Sequence, residues 1–208
     1  YQRLFGVIDL TGKTLIEPSF NYIGSIQNTT YILVYDQNGK CGLFDSRGNP
    51  ILPTEFNNIV HVTPKTGIVI FDCDERYGVL KLKKRKSKNS SYTIFLEPRY
   101  GYYDIHINPE LNLIVVNSHP HFFTLDYTGK TKYQLPPHFI AEEYHPDLNL
   151  IKFYYETQTD TQPEPSYING KYGCMDIKGT FILPPIYDDI SFSDIELTAY
   201  QKDTYQSF

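Results

Sequence analysis

The sequence contains no tryptophan, a single methionine, and alanine only at positions 141 and 199. It holds 19 tyrosines and 13 phenylalanines instead, a balance that points to strands rather than helices. No run approaches the roughly 18 consecutive apolar residues of a membrane helix, so no helical membrane span is expected. The cysteines are three, Cys41, Cys73 and Cys174, an odd number at no metal-binding spacing. A disulfide-stapled fold is not expected at this length; buried, reduced thiols acting as small hydrophobes are. Reduced thiols favour the cytoplasm over the periplasm, and nothing else in the sequence fixes a compartment. The chain opens at Tyr1 without an initiator methionine or an apolar export segment, which implies a processed or truncated start.

What is present suffices for a core. The 208 residues are 40% hydrophobic with a net charge of −5, which excludes global disorder and fits one β-repeat domain over residues 1–208. The chain repeats itself. Leu4-Phe5-Gly6-Val7-Ile8-Asp9 aligns with Lys40-Cys41-Gly42-Leu43-Phe44-Asp45. Arg76-Tyr77-Gly78-Val79-Leu80-Lys81, His121-Phe122-Phe123-Thr124-Leu125-Asp126 and Lys171-Tyr172-Gly173-Cys174-Met175-Asp176 complete the column. The five units run approximately over 3–38, 39–74, 75–118, 119–168 and 169–203.

Each unit has the same grammar. A first strand ends in a turn with Asp at its start and Gly three residues on: Asp9–Gly12, Asp45–Gly48, Asp126–Gly129 and Asp176–Gly179. A second strand stops at proline, as at Pro18, Pro53, Pro98, Pro136 and Pro184, because proline cannot donate to a ladder. An aromatic follows: Phe20, Phe56, Tyr100, Phe139 and Tyr187. A third strand closes the unit, at 31–35, 67–71, 111–116, 148–155 and 196–200. Asn38-Gly39 makes a hairpin turn into the next first strand. The third strands are apolar at consecutive positions, which suits strands covered on both faces.

This pattern resembles the WG repeat, also called the KWG repeat, common in bacterial proteins. The best local match is Lys171–Gly179 through Pro184–Ile190, and the resemblance extends over essentially the whole chain. The family's tryptophan is replaced throughout, by Phe5, Cys41, Tyr77, Phe122 and Tyr172, and Phe123 stands where the fourth glycine belongs. The resemblance specifies a repeat and carries almost no function.

The fold expected is all-β, with five three-stranded meanders, each sheet ordered third–first–second. The chain begins on a first strand and ends after a third. Pairing Tyr1–Asp9 with Glu196–Lys202 would complete five sheets in a propeller-like closed ring and hide both open edges. An open β-solenoid or twisted array of the same meanders is the alternative.

Candidate sites are few. Lys81, Lys83, Lys84, Arg85, Lys86 and Lys88 form a basic run between two strands of the third unit. It reads as a solvated hairpin extension or as a partner-binding patch. Without these six, 13 bases face 24 acids, a charge of −11, which disfavours nucleic acid and admits a basic protein partner. His119, His121, His138 and His145 cluster in the fourth unit, where alternate strand residues share a face; this is the one metal-site candidate. Asp9, Asp45, Asp126 and Asp176 suggest paired carboxylates of a glycosidase, which work about 5–10 Å apart, yet their shared turn position accounts for all four. Asp188-Asp189 and Glu142-Glu143 read as solvated pairs, and 156–167 as an exposed polar insertion. No nucleophile elbow, zincin helix or phosphate loop is present. The expectation is no enzyme and no cofactor. The leading function is a non-catalytic protein-interaction module, in its sharper form an inhibitor or immunity-type protein. The alternative is a glycan-binding or glycan-cleaving β-propeller.

Overall fold

A computed structural model describes residues 3–83, 92–98, 104–118, 120–156, 170–194 and 196–201. The chain forms two compact units, residues 1–100 and 101–208. The described residues contain twenty strands and no helix, and every pairing is antiparallel.

In the first unit β1 (Phe5–Ile8) pairs with β2 (Thr14–Phe20). Then β3 (Tyr22–Ser25), β4 (Ile32–Tyr35), β5 (Cys41–Phe44) and β6 (Pro50–Phe56) form one four-stranded sheet in chain order. A second consists of β7 (Asn58–Thr63), β8 (Ile68–Asp72), β9 (Tyr77–Leu82) and β10 (Tyr92–Leu96). In the second unit β11 (Asp104–Asn108), β12 (Leu113–Ser118), β13 (His121–Asp126) and β14 (Thr131–Gln134) make a four-stranded sheet. Its neighbour contains β15 (Phe139–His145), β16 (Leu150–Glu156), β17 (Gly170–Asp176) and β18 (Phe181–Tyr187). Finally β19 (Asp189–Phe192) pairs with β20 (Leu197–Tyr200).

The expected third–first–second order is present, as in β4–β5–β6. The expected count of three strands is corrected to four. An additional strand, such as β3 or β7, precedes each third strand. β3, β7 and β19 (Asp189–Phe192) start after a single corner residue, Asn21, Asn57 or Asp188, so at these corners the chain passes from one sheet to the next almost without a loop. The corner amide donates to the carbonyl of the last residue of the third strand: Asn21 to Tyr35 of β4 at 2.9 Å, Asn57 to Asp72 of β8 at 3.1 Å, and Asp188 to Tyr200 of β20 at 2.8 Å.

The stop at proline is present at Pro98 and Pro136, which follow the ends of β10 and β14, and is corrected at the other three. Pro18, Pro53 and Pro184 lie inside β2, β6 and β18, at an irregular register rather than at a strand end. Leu43 is opposite Leu52 and Cys41 is opposite Phe56, so four residues of β6 span two of β5. The extra residues bulge, and a bulge is where a sheet tolerates a missing donor. Beyond the bulge the two signature positions become cross-strand partners: Phe5 with Phe20, Cys41 with Phe56, Tyr172 with Tyr187.

Each unit has its own core. Cys41, Leu43, Leu52, Phe56, Ile59, Val62, Val69, Phe71 and Leu80 interlock between the two four-stranded sheets of the first unit. Phe56 meets Phe71 edge-on at 4.9 Å, a favoured aromatic arrangement. The second core gathers Leu113, Val115, Phe122, Tyr144, Ile151, Phe153 and Met175. The third strands β8 and β12 are buried residue after residue, from Ile68 to Phe71 and from Leu113 to Val116, so both of their faces are covered.

Candidate functional site

The residues that recur from unit to unit have structural work. Asp9 Oδ1 accepts the amides of Thr11 (2.8 Å) and Lys13 (3.1 Å), and Asp45, Asp126 and Asp176 accept the equivalent pairs. Asp36 does the same for Asn38 and Lys40, which extends the device to the Asn38-Gly39 turn. The hydroxyls of Thr11 and Thr128 add bonds that hold the Asp9 and Asp126 carboxyls below the usual carboxylate range. Gly48 turns at φ 79, in the left-handed region. Lys40 Nζ donates to Asn57 Oδ1, and Lys171 Nζ to Asp188 Oδ1, so this lysine binds the corner 17 residues ahead. Asp189, read from sequence as solvated, pairs with Lys152 at 2.9 Å. That lysine also stands 4.6 Å from the Tyr172 ring centroid.

The predicted site residues are dispersed. Lys81 is half-buried in β9 with Nζ 6.0 Å from the Phe95 ring centroid, and Lys83 is exposed just after β9. Lys84, Arg85, Lys86 and Lys88 lie outside the described residues, as does His119. His121 is exposed at the start of β13, and His138 is exposed before β15 at φ 71. His145, at the far end of β15, accepts the Leu148 amide through Nδ1 at 3.3 Å. Among the described residues no group of three or more His, Cys, Asp or Glu side chains is placed to hold a metal.

The described residues do enclose a polar recess of about 300 Å³ in the second unit. Two hairpin tips form its walls, β11–β12 and β15–β16, and they carry nearly the same sequence. Asn108-Pro-Glu-Leu-Asn-Leu113 matches His145-Pro-Asp-Leu-Asn-Leu150, and the second asparagine adopts φ 54 at Asn112 and φ 55 at Asn149. In the first unit Thr63-Pro-Lys-Thr-Gly-Ile68 has the same outline, with Gly67 at φ 72 and Lys65 in place of the acid. Asparagine tolerates this conformation better than other side chains. This duplicated motif was a sequence signal of the site, and it lay outside the column that defines the repeat.

Asn149 ties the tips together. Its Oδ1 accepts Asn108 Nδ2 at 2.5 Å and the Tyr144 hydroxyl at 3.3 Å, while Asn108 Oδ1 caps the Leu111 amide at 2.9 Å. His106 meets Tyr144 edge-on with ring centroids 5.3 Å apart, and its Nε2 contacts Asp104, two residues back on the same face of β11. Burial pushes the Tyr144 phenol up to about 12, helped by Asp104 and Asp147, so it stays a neutral donor. Glu110 and Asp147 bring carboxylates to the wall, and Pro109, Pro146 and Ile107 bring apolar surface; the lining includes neither lysine nor arginine.

No curated protein matches the chain. The family model described as the WG containing repeat matches residues 5–41 and 172–203. The first segment covers β1 to the start of β5 and the second most of β17 to beyond β20, the stretches in which glycine, bulged proline strand and corner follow in order. The chain is thus a repeat protein in which two segments, 5–41 and 172–203, match the WG containing repeat.

Proposed function

We propose that the chain is a non-catalytic protein-interaction module, and in the sharper form an inhibitor or immunity-type protein that occludes a basic partner. One observation carries this reading: the turn aspartates, the lysines Lys40 and Lys171 and the corner residues, which recur from unit to unit, are committed to the scaffold. The aspartates close turns, Lys40 and Lys171 bind corners, and Asn21, Asn57 and Asp188 join sheets. Function in such an array belongs to what differs between units, and rigid repeat scaffolds use loops on that basis. The basic segment after β9 is one such part, and the hairpin tips, alike in outline, differ in charge, with Lys65 in the first unit where Glu110 and Asp147 stand in the second. The acidic body, −11 without the basic run, supports a basic partner.

The same proposal includes a closed ring. β19–β20 corresponds to β3–β4, and β1–β2 to β5–β6; each is a separate two-stranded sheet among the described residues, and the ring reading takes them as halves of a fifth four-stranded sheet. Exposure supports this. Phe5 is 50% exposed in β1, whereas Cys41, its counterpart in β5, is fully buried under β4. An open array continued by further strands is the alternative.

The test is a pull-down from the source organism with the full chain, followed by reconstitution of the captured protein in purified form. A stoichiometric complex that competes with the partner's own activity supports the inhibitor reading. Turnover of a captured small-molecule substrate by the chain itself would overturn the non-catalytic one.

A further inference from the structure

We propose that the recess between the β11–β12 and β15–β16 tips binds one neutral sugar residue. This goes beyond the protein-interaction reading and stands independently of it. Size comes first. Small-molecule pockets span roughly 300–1,000 Å³, and this recess, at about 300 Å³, suits a single ring rather than an extended chain.

Charge narrows the class. Glu110 and Asp147 line the wall with no lysine or arginine beside them, so phosphates, carboxylates and nucleotides are repelled. The hydrogen-bonding inventory narrows it again. The two carboxylates only accept, whereas the Nδ2 group of Asn149 donates, its Oδ1 being occupied by Asn108 and Tyr144. A guanidinium offers five donors and no acceptor, and so leaves the amide donors unmatched. A hydroxyl both donates and accepts, and a ring bearing several hydroxyls satisfies carboxylate and amide together.

The wall also has an apolar component. Pro109, Pro146, Ile107 and the ring of Tyr144 present carbon surface among the polar groups. A pyranose has that dual character, with hydroxyls around its rim and C–H groups on its faces. The bonds from Asn108 and Tyr144 to Asn149 hold the tips in place before any ligand arrives, which lowers the ordering cost of binding.

The experiment uses the full chain and the methyl pyranosides of glucose, galactose, mannose and N-acetylglucosamine, followed by ¹H–¹⁵N chemical shifts. Saturable shifts with a Kd on the order of 1 mM, centred on 106–110 and 144–149, are expected for at least one sugar. The double variant Glu110→Gln, Asp147→Asn should weaken that binding about tenfold, the loss expected for charged hydrogen bonds, with the melting temperature unchanged. Tyr144→Phe, which keeps the ring but removes one bond that holds Asn149, is the second variant and should weaken binding less than the double variant does, because Asn108 still donates to Asn149. The same sugars immobilised as oligosaccharide termini distinguish a glycan end from a free monosaccharide. Absence of saturable shifts across the panel overturns the proposal. So does sugar binding indifferent to the double variant, and so does binding of an oligoarginine peptide in place of every sugar, which would make the recess an acidic docking point.

Discussion

Gly42 of β5 lies directly against the bulged backbone at Pro53 of β6. A Cβ at Gly42 would stand 2.7 Å from the Leu52 carbonyl oxygen and 2.9 Å from the Pro53 carbonyl carbon. Gly6 has the same relation to Ile16 and Pro18, at 2.5 and 2.8 Å. The glycine and the proline of the repeat are therefore one device: proline requires a bulge, and the bulge folds backbone onto the neighbouring strand. Gly42→Ala should destabilise by about 1–3 kcal/mol, because backbone atoms cannot rotate away as a side chain can. Thermal melting at about 2–4 °C per kcal/mol reads the effect. Gly12→Ala is the comparison: it has φ 87 but nothing within 4 Å of its Cβ position, and should lose only about 1 kcal/mol through backbone strain. Equal losses at the two sites would disprove the close-approach account.

The fourth unit supports this coupling from the opposite direction. Phe123 occupies the glycine position, and there β14 ends at Gln134 before Pro136, with Leu135 donating to Phe122 at 2.9 Å. No bulged segment crosses Phe123, and a side chain is accommodated. Features set within a few residues were legible in the sequence for this reason: the Asp–Gly turns, the strand columns, and the burial of β8 and β12. The fourth strand was not. Tyr22-Ile-Gly-Ser25 is only four residues long and follows a proline and an aromatic that read as a terminus. Proline reads as a stop because its missing donor is a local property, whereas the bulge that accommodates it is made by two strands. The recess is less local still. His106 and Tyr144 meet only because β11 and β15 belong to adjacent sheets, and the duplicated Pro-acid-Leu-Asn tips are the single trace of it.

Two turn aspartates, Asp9 and Asp126, should titrate below the ordinary carboxyl. Asp9 and Asp126 are lowered chiefly by the side-chain bonds from Thr11 and Thr128. A carboxyl depressed in the folded state contributes stability above its unfolded value near 3.8, and that contribution is lost as pH falls through the folded value. Carboxyl ¹³C titration should place both midpoints below 3.8. Thr128→Val should raise the Asp126 midpoint; an unmoved midpoint would mean that the backbone amides alone set it.

Thiol chemistry should separate the cysteines. Burial pushes Cys41 and Cys174 up to about 11, and both are fully buried, while Cys73 is half-buried. At pH 8 only about one in a thousand of such buried thiols is ionised, and the thiolate is the reactive form. An aromatic disulfide reagent should modify Cys73 in the native protein and all three after denaturation. Rapid modification of three thiols without denaturant would contradict the assigned cores.

The basic run has a distinct signature if it binds the partner. Replacing Lys83, Lys84, Arg85 and Lys86 with serine should weaken the complex and flatten its salt dependence, with little change in melting temperature. Exposed like charges contribute little to folding but attract an opposite surface within a Debye length, about 8 Å at physiological salt. Affinity measured at two ionic strengths decides it. An unchanged affinity returns the run to a solvated turn, and a large loss of stability would show that it packs on the body.

Ring closure, as proposed, would need a particular residue-level register. In the complete sheet Tyr22 is opposite Tyr35, and Tyr35 is opposite Cys41, with Leu33 opposite Leu43. In the split one Asp189 is opposite Tyr200, so Tyr200 takes the place of Tyr35 and Phe5 that of Cys41. The closing ladder then sets Tyr200 opposite Phe5 and Thr198 opposite Val7. Directly opposed residues in an antiparallel pair have Cβ atoms about 4.5–5.5 Å apart, within reach of a disulfide after small adjustment. In a background lacking Cys73, Val7→Cys with Thr198→Cys should oxidise within one molecule and raise the melting temperature. Shifting one partner to Thr11→Cys, beyond β1, should abolish it. A cross-link only between molecules, seen as a covalent dimer, would favour an open array whose edges pair from chain to chain, and no cross-link at all would leave β1 and β20 as separate edges and end the ring proposal.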